Sequence, residues 1–483
     1  MRLRTYFILS ATMFGCCQGL QAQQKWNLRQ CVDYAMQHNL NIKQVTLQEK
    51  FSELALKQSN EALLPNVSFS TGTSFSSGRR QDPTSFSLIT QSSIQGSMQL
   101  QSSVDIFNWF RKKNTIAANE WELQASRANT DKLKNDVALL VANYYLQILL
   151  AQEQAHISGV QLEQSKSQLA NTRKLVNAGS LPELNAAELE AQVARDSANY
   201  IAAKGTANQA LLTLKASMNL DAAAPFEIEA PAADKIPVEN IADLQPEVVY
   251  ASAIANLPQQ RFNSLKIKAA EKNKAVAKAG MYPSISGFGG LNTSFLSKAS
   301  EVTGYTIVPV TPYVIGKVNV SGTDYSVFTP DGLNNAIPNI SKTPFFRQLS
   351  TNFSQSLGIS INIPILSGGA LRNNYQRAKL NIISLELQQE VDNQKTKQDI
   401  YQAYNNALVA LERFNASKKT VETAERSYSF AQKRYNVGML TTLELVTNQN
   451  NLFREKLQYV LNQFDYVFKM KVLEFYKGQG IKL

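Results

Sequence analysis

FSQSLGISINIPI, spanning Phe353–Ile365, decides the fold. Leu357, Ile359, Ile361, Ile363 and Ile365 alternate with Ser354, Ser356, Gly358, Ser360 and Asn362 along it. A period of two sends these sets to opposite faces of a strand. One apolar face and one small polar face suit a strand held between lipid and a wet lumen. Val67–Ser76 repeats the pattern, with Val67, Phe69 and Phe75 against Ser68, Ser70 and Ser74. So does Ile94–Ile106, with Ile94, Met98, Leu100, Val104 and Ile106 against Gln95, Gln99 and Gln101. Ile285–Phe295 is weaker, because Phe288 breaks its polar face. These lengths match the roughly 9–11 residues of a tilted transmembrane strand. A soluble sheet with one face on a core alternates in the same way, but no obvious amphipathic partner helix lies beside these strands. Four strands cannot close a barrel, since the smallest membrane barrels have about eight. The chain must therefore pool its strands with other copies.

The strands belong to an internal duplication. Leu64–Ser68 matches Tyr282–Ser286 at an offset of 218, and Lys174–Gly179 matches Lys433–Gly438 at 259. The second copy thus carries 41 extra residues (259 minus 218), placed between Phe295 and Phe353 in a stretch rich in Gly, Pro, Thr and Asn. It reads as a long inserted loop at about residues 296–352.

The remainder reads as helix. Phe107–Asn177 and Leu366–Asn436 are about 105 Å each at the helical rise. Val421, Ala424, Tyr428, Ala431 and Tyr435 step by three and four, the seam of a coiled coil. Gly179 and Gly438 suit helix ends, and shorter helices return over Pro182–Met218 and Thr442–Tyr476. Leu28–Leu63 and Pro246–Tyr282 lead into the strands. Two short helices stacked end to end match one long helix, which describes a long tube of antiparallel coiled coils. The divisions are a first repeat at 23–220, an equatorial linker segment at 221–245 packing outside mid-tube, a second repeat at 246–476, and a tail at 477–483.

Residues 1–22 set the compartment. Arg2 and Arg4 precede the apolar Tyr6–Gly15, and Leu20–Ala22 offers a small residue at the cut, the order of a secretory signal peptide. The competing reading is lipidation at Cys16 or Cys17, although Met13 and Phe14 fit that signal poorly. Cleavage after Ala22 leaves Cys31 alone, without a partner for an internal disulfide. The net charge falls from +11 to +9 (11 minus 2). Its basic residues are interspersed with acids and amides, so nucleic-acid binding is not expected. No later stretch has 18 consecutive apolar residues, so a crossing of the membrane requires a closed β-barrel.

Catalysis has little footing. His38 and His156 lack a neighbouring Cys or carboxylate pair, so no metal, cofactor or enzyme activity is expected. Ser367–Gly369 lacks the Lys-Ser/Thr ending of a phosphate loop and falls where a strand must pass into a long helix.

Four features carry a family resemblance: LRQCVDYAMQHNL at Leu28–Leu40, Leu64–Pro65, Tyr282–Pro283, and Arg434–Gly438. Two copies in register resemble the TolC-like outer-membrane efflux protein family, the outer membrane factors of tripartite efflux or type I secretion systems. The resemblance implies a mixed α and β membrane protein. Three subunits would form a 12-stranded barrel in outer-membrane lipid, continued by a coiled-coil tunnel through the periplasm. It implies a homotrimer meeting a periplasmic adaptor (membrane fusion) protein and an inner-membrane pump. The adaptor-contacting tips would be Asn177, Ala178, Gly179, Ser180 and Leu181, with Asn436, Val437, Gly438, Met439 and Leu440. The family often has Leu directly after the glycine, where Ser180 and Met439 stand here. Glu444 and Tyr435 fall at positions implied in the periplasmic gate, whereas Asn185 and Thr447 replace acids. An exposed helix charge and a seam residue remain the alternatives for these two. For the whole chain, the alternatives are a periplasmic coiled-coil scaffold without a pore, or a surface binding protein using the loop.

Overall fold

The computed structural model describes residues 25–81, 86–229 and 236–478. The signal peptide and the two candidate lipidation sites, Cys16 and Cys17, lie outside the described residues.

The duplication is visible in the element lengths. The first copy runs α1 (Leu28–His38), α2 (Leu40–Glu61), β1 (Asn66–Gln81), β2 (Leu88–Phe107), α3 (Arg111–Asn177) and α4 (Glu183–Met218). The second runs α5 (Pro246–Asn256), α6 (Pro258–Ala279), β3 (Ser284–Leu296), an excursion β4 (Ser300–Pro309), β5 (Val314–Val320), β6 (Thr323–Phe328), β7 (Asn334–Lys342) and α7 (Phe345–Thr351), then β8 (Ser354–Asn362), α8 (Ala370–Asn436) and α9 (Thr442–Tyr476). Paired helices have 11 and 11, 22 and 22, 67 and 67, and 36 and 35 residues.

Leu28–Leu63 and Pro246–Tyr282 are not single helices. Asn39 turns extended after α1, and its side-chain oxygen accepts the Asn41 and Ile42 amides at 2.9 and 3.4 Å, starting α2 afresh. In the second copy Leu257 is extended before Pro258, whose ring disfavours helix in the residue ahead of it.

Two compact units result, and the helical one comprises the described residues among 25–57, 116–273 and 376–478. Its larger core joins Cys31 and Ala35 of α1 to Val141, Tyr145 and Ile148 of α3, Leu214 and Met218 of α4, and Val467 of α9. A second core joins Leu244, Val249 and Ala253 to Ile400, Ala407, Met470 and Leu473. Each fully buried Leu or Ile contributes about 1.5–3 kcal/mol by leaving water. Burial also pushes the Cys31 thiol up to about 12. The described parts of 221–245 are stitched onto these helices. Trp26 bridges Ile228, the Tyr145 hydroxyl donates to the Glu229 carbonyl at 2.5 Å, and Glu474 accepts the Glu239 amide at 3.0 Å.

The other unit, residues 58–115 and 274–375, holds an antiparallel sheet in the order β1-β2-β3-β8. β1 and β2 run beyond the alternating segments, because Ser76–Arg79 continue the ladder opposite Thr90–Ser93. A ladder needs only backbone groups, so polar residues can extend it. β8 ends at Asn362, short of Ile365, and Pro364 just beyond has no amide hydrogen to donate. The residues expected as a loop at about 296–352 instead form four strands and a helix.

Candidate pore wall and helical tips

The register sorts the sheet by face. Val67, Ser102, Gly289 and Leu357 lie in one row, Phe69, Leu100, Leu291 and Gln355 in the next, and Val104, Gly287 and Ile359 in a third, all on the same side. The opposite side carries the rows Ser68, Gln101, Gly290, Ser356 and Ser70, Gln99, Asn292, Ser354. Away from α7 both faces are largely exposed among the described residues, and Leu357 is 92% exposed. A largely apolar face left open to solvent requires another phase or partner to cover it. Phe288 is the exception on the polar side. Its ring lies over Gly358, where an added Cβ would come within 2.6 Å of it.

Aromatic clusters bound the apolar face at both ends. Phe107, Trp109, Phe110 and Tyr282 gather at the end where helices join the sheet, with Trp109 and Tyr282 centred 4.8 Å apart. Phe295, Phe345 and Phe346 gather at the other, at 4.9 and 5.3 Å. Ile285 to Phe295 is about 33 Å of strand, or about 25 Å of height at a tilt of about 40°. That is the height of an outer-membrane barrel's apolar band, with its aromatic girdles at the two limits.

In the helical unit, α3 and α8 end in the same hydrogen-bonded turn. Gly179 (φ 74°) donates to Val176, and Ser180 to Leu175, both at 2.9 Å; Gly438 (φ 77°) donates to Tyr435 and Met439 to Arg434 at 2.9 and 2.8 Å. This pattern satisfies the last helical carbonyls. Asn177, Ala178 and Ser180 are exposed and Leu181 half-buried; Asn436, Val437 and Met439 are exposed and Leu440 half-buried. Leu175, Leu184 and Leu443 add exposed apolar side chains nearby.

Tyr435 and Glu444 have separate partners. The Tyr435 hydroxyl shares hydrogen bonds with Thr172 at 3.1 Å and Thr442 at 3.4 Å, while its ring packs on the Tyr428, Ala431 and Leu445 cluster. It therefore ties α8 to α3 as well as sitting in the coiled-coil seam. The Glu444 carboxylate turns back on the start of its own helix, accepting the Thr441 amide at 3.0 Å and hydroxyl at 2.9 Å, in a capping box. Those hydrogen bonds hold its pKa below the usual carboxylate value.

Three features were missed at the sequence level. Arg173 spans the first tip, bonded to Glu183 and, at 2.7 Å, to Glu190. Gln164 of α3 donates to Tyr428 of α8 at 2.8 Å. A buried polar layer joins α3, α4 and α9: Ser165 donates to Asp196 at 2.5 Å, Gln192 to Asp196 and Asn450 at 2.9 Å, and Gln449 to Ser165 at 3.1 Å. The separations Thr172–Tyr435 and Gln164–Tyr428 are 263 and 264 residues. These lie within about one helical turn of the 259-residue repeat offset, a signal that could have found them. Among the described residues, no three of His, Cys, Asp and Glu come together to hold a metal ion, and no helix is long and apolar enough to cross a membrane.

The outer membrane efflux protein family matches residues 31–220 and 249–469, one segment in each copy. The chain is 22% identical over 375 residues to the outer membrane efflux protein BepC of Brucella suis biovar 1 (strain 1330), covering 77% of this chain and 70% of BepC. Its fold is similar to that of the outer membrane protein VceC of Vibrio cholerae, with a TM-score of 0.70 and 15% identity over 94% of this chain and 97% of that one. It is also similar to the CmeC outer membrane channel of Campylobacter jejuni, with a TM-score of 0.70 and 16% identity over 94% and 86%.

Proposed function

The chain belongs to the outer membrane efflux protein family. It is an outer-membrane exit duct for efflux and not an enzyme, and on that premise we propose how it is assembled and opened. Three copies pool their sheets into one twelve-stranded barrel, with the β8 edge of each copy pairing with β1 of the next. The observation that carries this reading is the register. Four strands present one largely apolar face and one face rich in Ser, Gln and Asn, yet both outer edges remain unpaired among the described residues. Twelve strands spaced about 4.8 Å apart and tilted about 40° enclose a bore of about 24 Å between backbones. Its Ser, Gln and Asn lining suits hydrated cargo.

The helices form a periplasmic tunnel fed by an adaptor and an inner-membrane pump, in efflux or in one-step secretion. The tips Asn177–Leu181 and Asn436–Leu440 receive the adaptor, with Leu184, Val437, Met439 and Leu443 as exposed anchors for a helical hairpin. Tyr435 and Glu444 stand at the gate. Tyr435 holds the two hairpins together, and Glu444 adds one ionised carboxylate per copy, which draws cations to a narrow mouth.

Single-channel recording of the purified protein in planar bilayers, beside Glu444→Ala, tests this reading. Small cation-selective openings from a trimer, losing selectivity in the variant, are expected. A monomer in mild detergent with no conductance would return the chain to a scaffold without a pore. Unaltered selectivity in a conducting trimer would remove Glu444 from the gate.

A further inference from the structure

The excursion between β3 and β8 is a single bent ribbon. β4 pairs with β7 and β5 with β6. Between the two ladders the Val310 amide donates to Leu333 at 2.9 Å and the Thr329 amide to Tyr313 at 3.0 Å, so the pairing carries through the bend. The turn at the far end places Ser321 and Gly322 at φ 52° and 89°, as in the two-residue turns that match strand twist. The 10 residues of β4 and 7 of β5 amount to about 55 Å of strand.

The arm is footed firmly. Gln348 of α7 accepts the Leu296 amide at 2.7 Å and donates to the Thr343 carbonyl at 2.9 Å. Thr293 donates to Leu349 at 2.7 Å, Asn352 donates to Ser294 at 2.8 Å, and Arg347 pairs with Glu301 at 3.0 Å. These bonds take up the end of β3 where β8 no longer runs beside it.

The two sides of the outer ladder differ, whereas the inner ladder carries apolar residues on both. Val318 opposite Tyr325, and Val320 opposite Thr323, share one side of the outer ladder; Lys317 opposite Ser326, and Asn319 opposite Asp324, share the other. In the inner ladder Tyr305 lies opposite Pro338 and Ile307 opposite Ala336 on one side, while Thr306 opposite Ile337 and Val308 opposite Asn335 take the other. Val318 and Tyr325 are 50% and 59% exposed in the single chain. A two-stranded ribbon with a bare apolar side is marginal in water and needs a third element against it. Lipid is a poor candidate, because the arm begins beyond the Phe295–Phe345–Phe346 cluster that ends the apolar band.

We propose that the apolar side of the outer ladder, which carries Val318, Val320 and Tyr325, packs on the arms of the neighbouring copies, forming an apolar collar over the outer mouth of the barrel. The proposal rests on the three-copy barrel above and concerns a surface that barrel closure leaves open. Closure plants three footed arms around a bore of about 24 Å, well within their reach. Holding them there raises their mutual concentration to the millimolar range. The arm's charges, Glu301, Asp324 and Asp331 against Lys317 and Lys342, nearly balance, so like copies do not repel strongly.

Thiol accessibility tests the collar. Val318→Cys and Tyr325→Cys probe the apolar side, and Lys317→Cys and Ser326→Cys the polar side, each labelled in the intact trimer with a charged maleimide. The apolar-side thiols should react at least about tenfold more slowly, the gap should close when the trimer is dissociated, and a short bismaleimide should link Tyr325→Cys copies. Equal rates in a verified trimer would overturn the collar and leave the barrel standing. Protection without linkage would also overturn it, because detergent or another molecule would then cover the face. A monomer would overturn the barrel and the collar together.

Discussion

The two turns that lead from sheet to long helix occupy matching places in the duplicated halves and solve one geometric problem differently. Trp109 and Phe110 sit at φ 51° and 60°; Gly368 and Gly369, 259 residues later, sit at 57° and 80°. Left-handed backbone costs a residue with a side chain about 1–2 kcal/mol, and glycine very little. The second copy takes the relaxed solution. The first accepts strain, and the result is a ring placement: Trp109 lies against Tyr282 and Phe107, and Phe110 against Phe107. One turn is simply a turn. The other also builds the aromatic girdle on the helical side of the apolar band.

The contrast can be broken most directly by exchanging the solutions. Gly368→Val with Gly369→Val should lower stability by the largest amount, about 2–4 kcal/mol for two left-handed residues, read from thermal unfolding in detergent, because β-branched side chains tolerate that region worst. An unchanged midpoint would mean that the turn relaxes freely and its φ values matter little. At the strained turn, Trp109→Ala loses the rings and keeps the strain, whereas Trp109→Gly loses the rings and releases it. The glycine variant should be the more stable of the two by about 1 kcal/mol, a reversal of the usual order that denaturation in detergent would reveal.

The helical tips repeat the contrast in gentler form. Tyr435→Phe removes the hydroxyl between Thr172 and Thr442 and should cost about 1 kcal/mol, measured by unfolding of the helical unit. Glu444→Gln should matter only where the carboxylate is ionised. Its folded pKa is depressed, so its stabilisation is full above the unfolded value of about 4.5 and fades as pH falls through the lower folded value. Wild type and variant should therefore differ at pH 7 and converge on acidification below that window. Smallest is Arg173→Gln, which copies the residue found at the matching position, Gln432. Its effect should disappear in molar salt, because exposed ion pairs are screened and neutral hydrogen bonds are not.

What the sequence disclosed depended on whether water and lipid sat on different sides of an element. Phe69, Leu100, Leu291 and Leu357 were legible because alternate residues meet different surroundings. The ladder through Ser77 and Ser92, whose hydroxyls lie 2.8 Å apart, was not legible, since both its faces carry polar residues. The ribbon at Ser300–Lys342 was hidden for another reason: bulges at Val302/Gly304 and Val314/Gly316 break its period of two. Trp109 and Phe110 gave no sign of left-handed backbone, which aromatic residues do not advertise, although Gly368 and Gly369 hinted at it through the repeat. Glu444 and Tyr435 were picked out through the family pattern, but the capping box and the bond to Thr172 needed coordinates. Thr441 and Glu444 do stand three apart, the spacing of such a box.

The buried layer of Ser165, Gln192, Asp196, Gln449 and Asn450 has a consequence for symmetry. Two equivalent halves would make the two helical hairpins of the chain interchangeable. At the repeat offset, however, Ser165, Gln192 and Asp196 become Ala424, Asn451 and Glu455, so α8 and α9 cannot rebuild the layer on the opposite flank. Each copy therefore has a distinguishable left and right side. In the proposed ring of copies, that difference distinguishes the two halves chemically, although their helix lengths match.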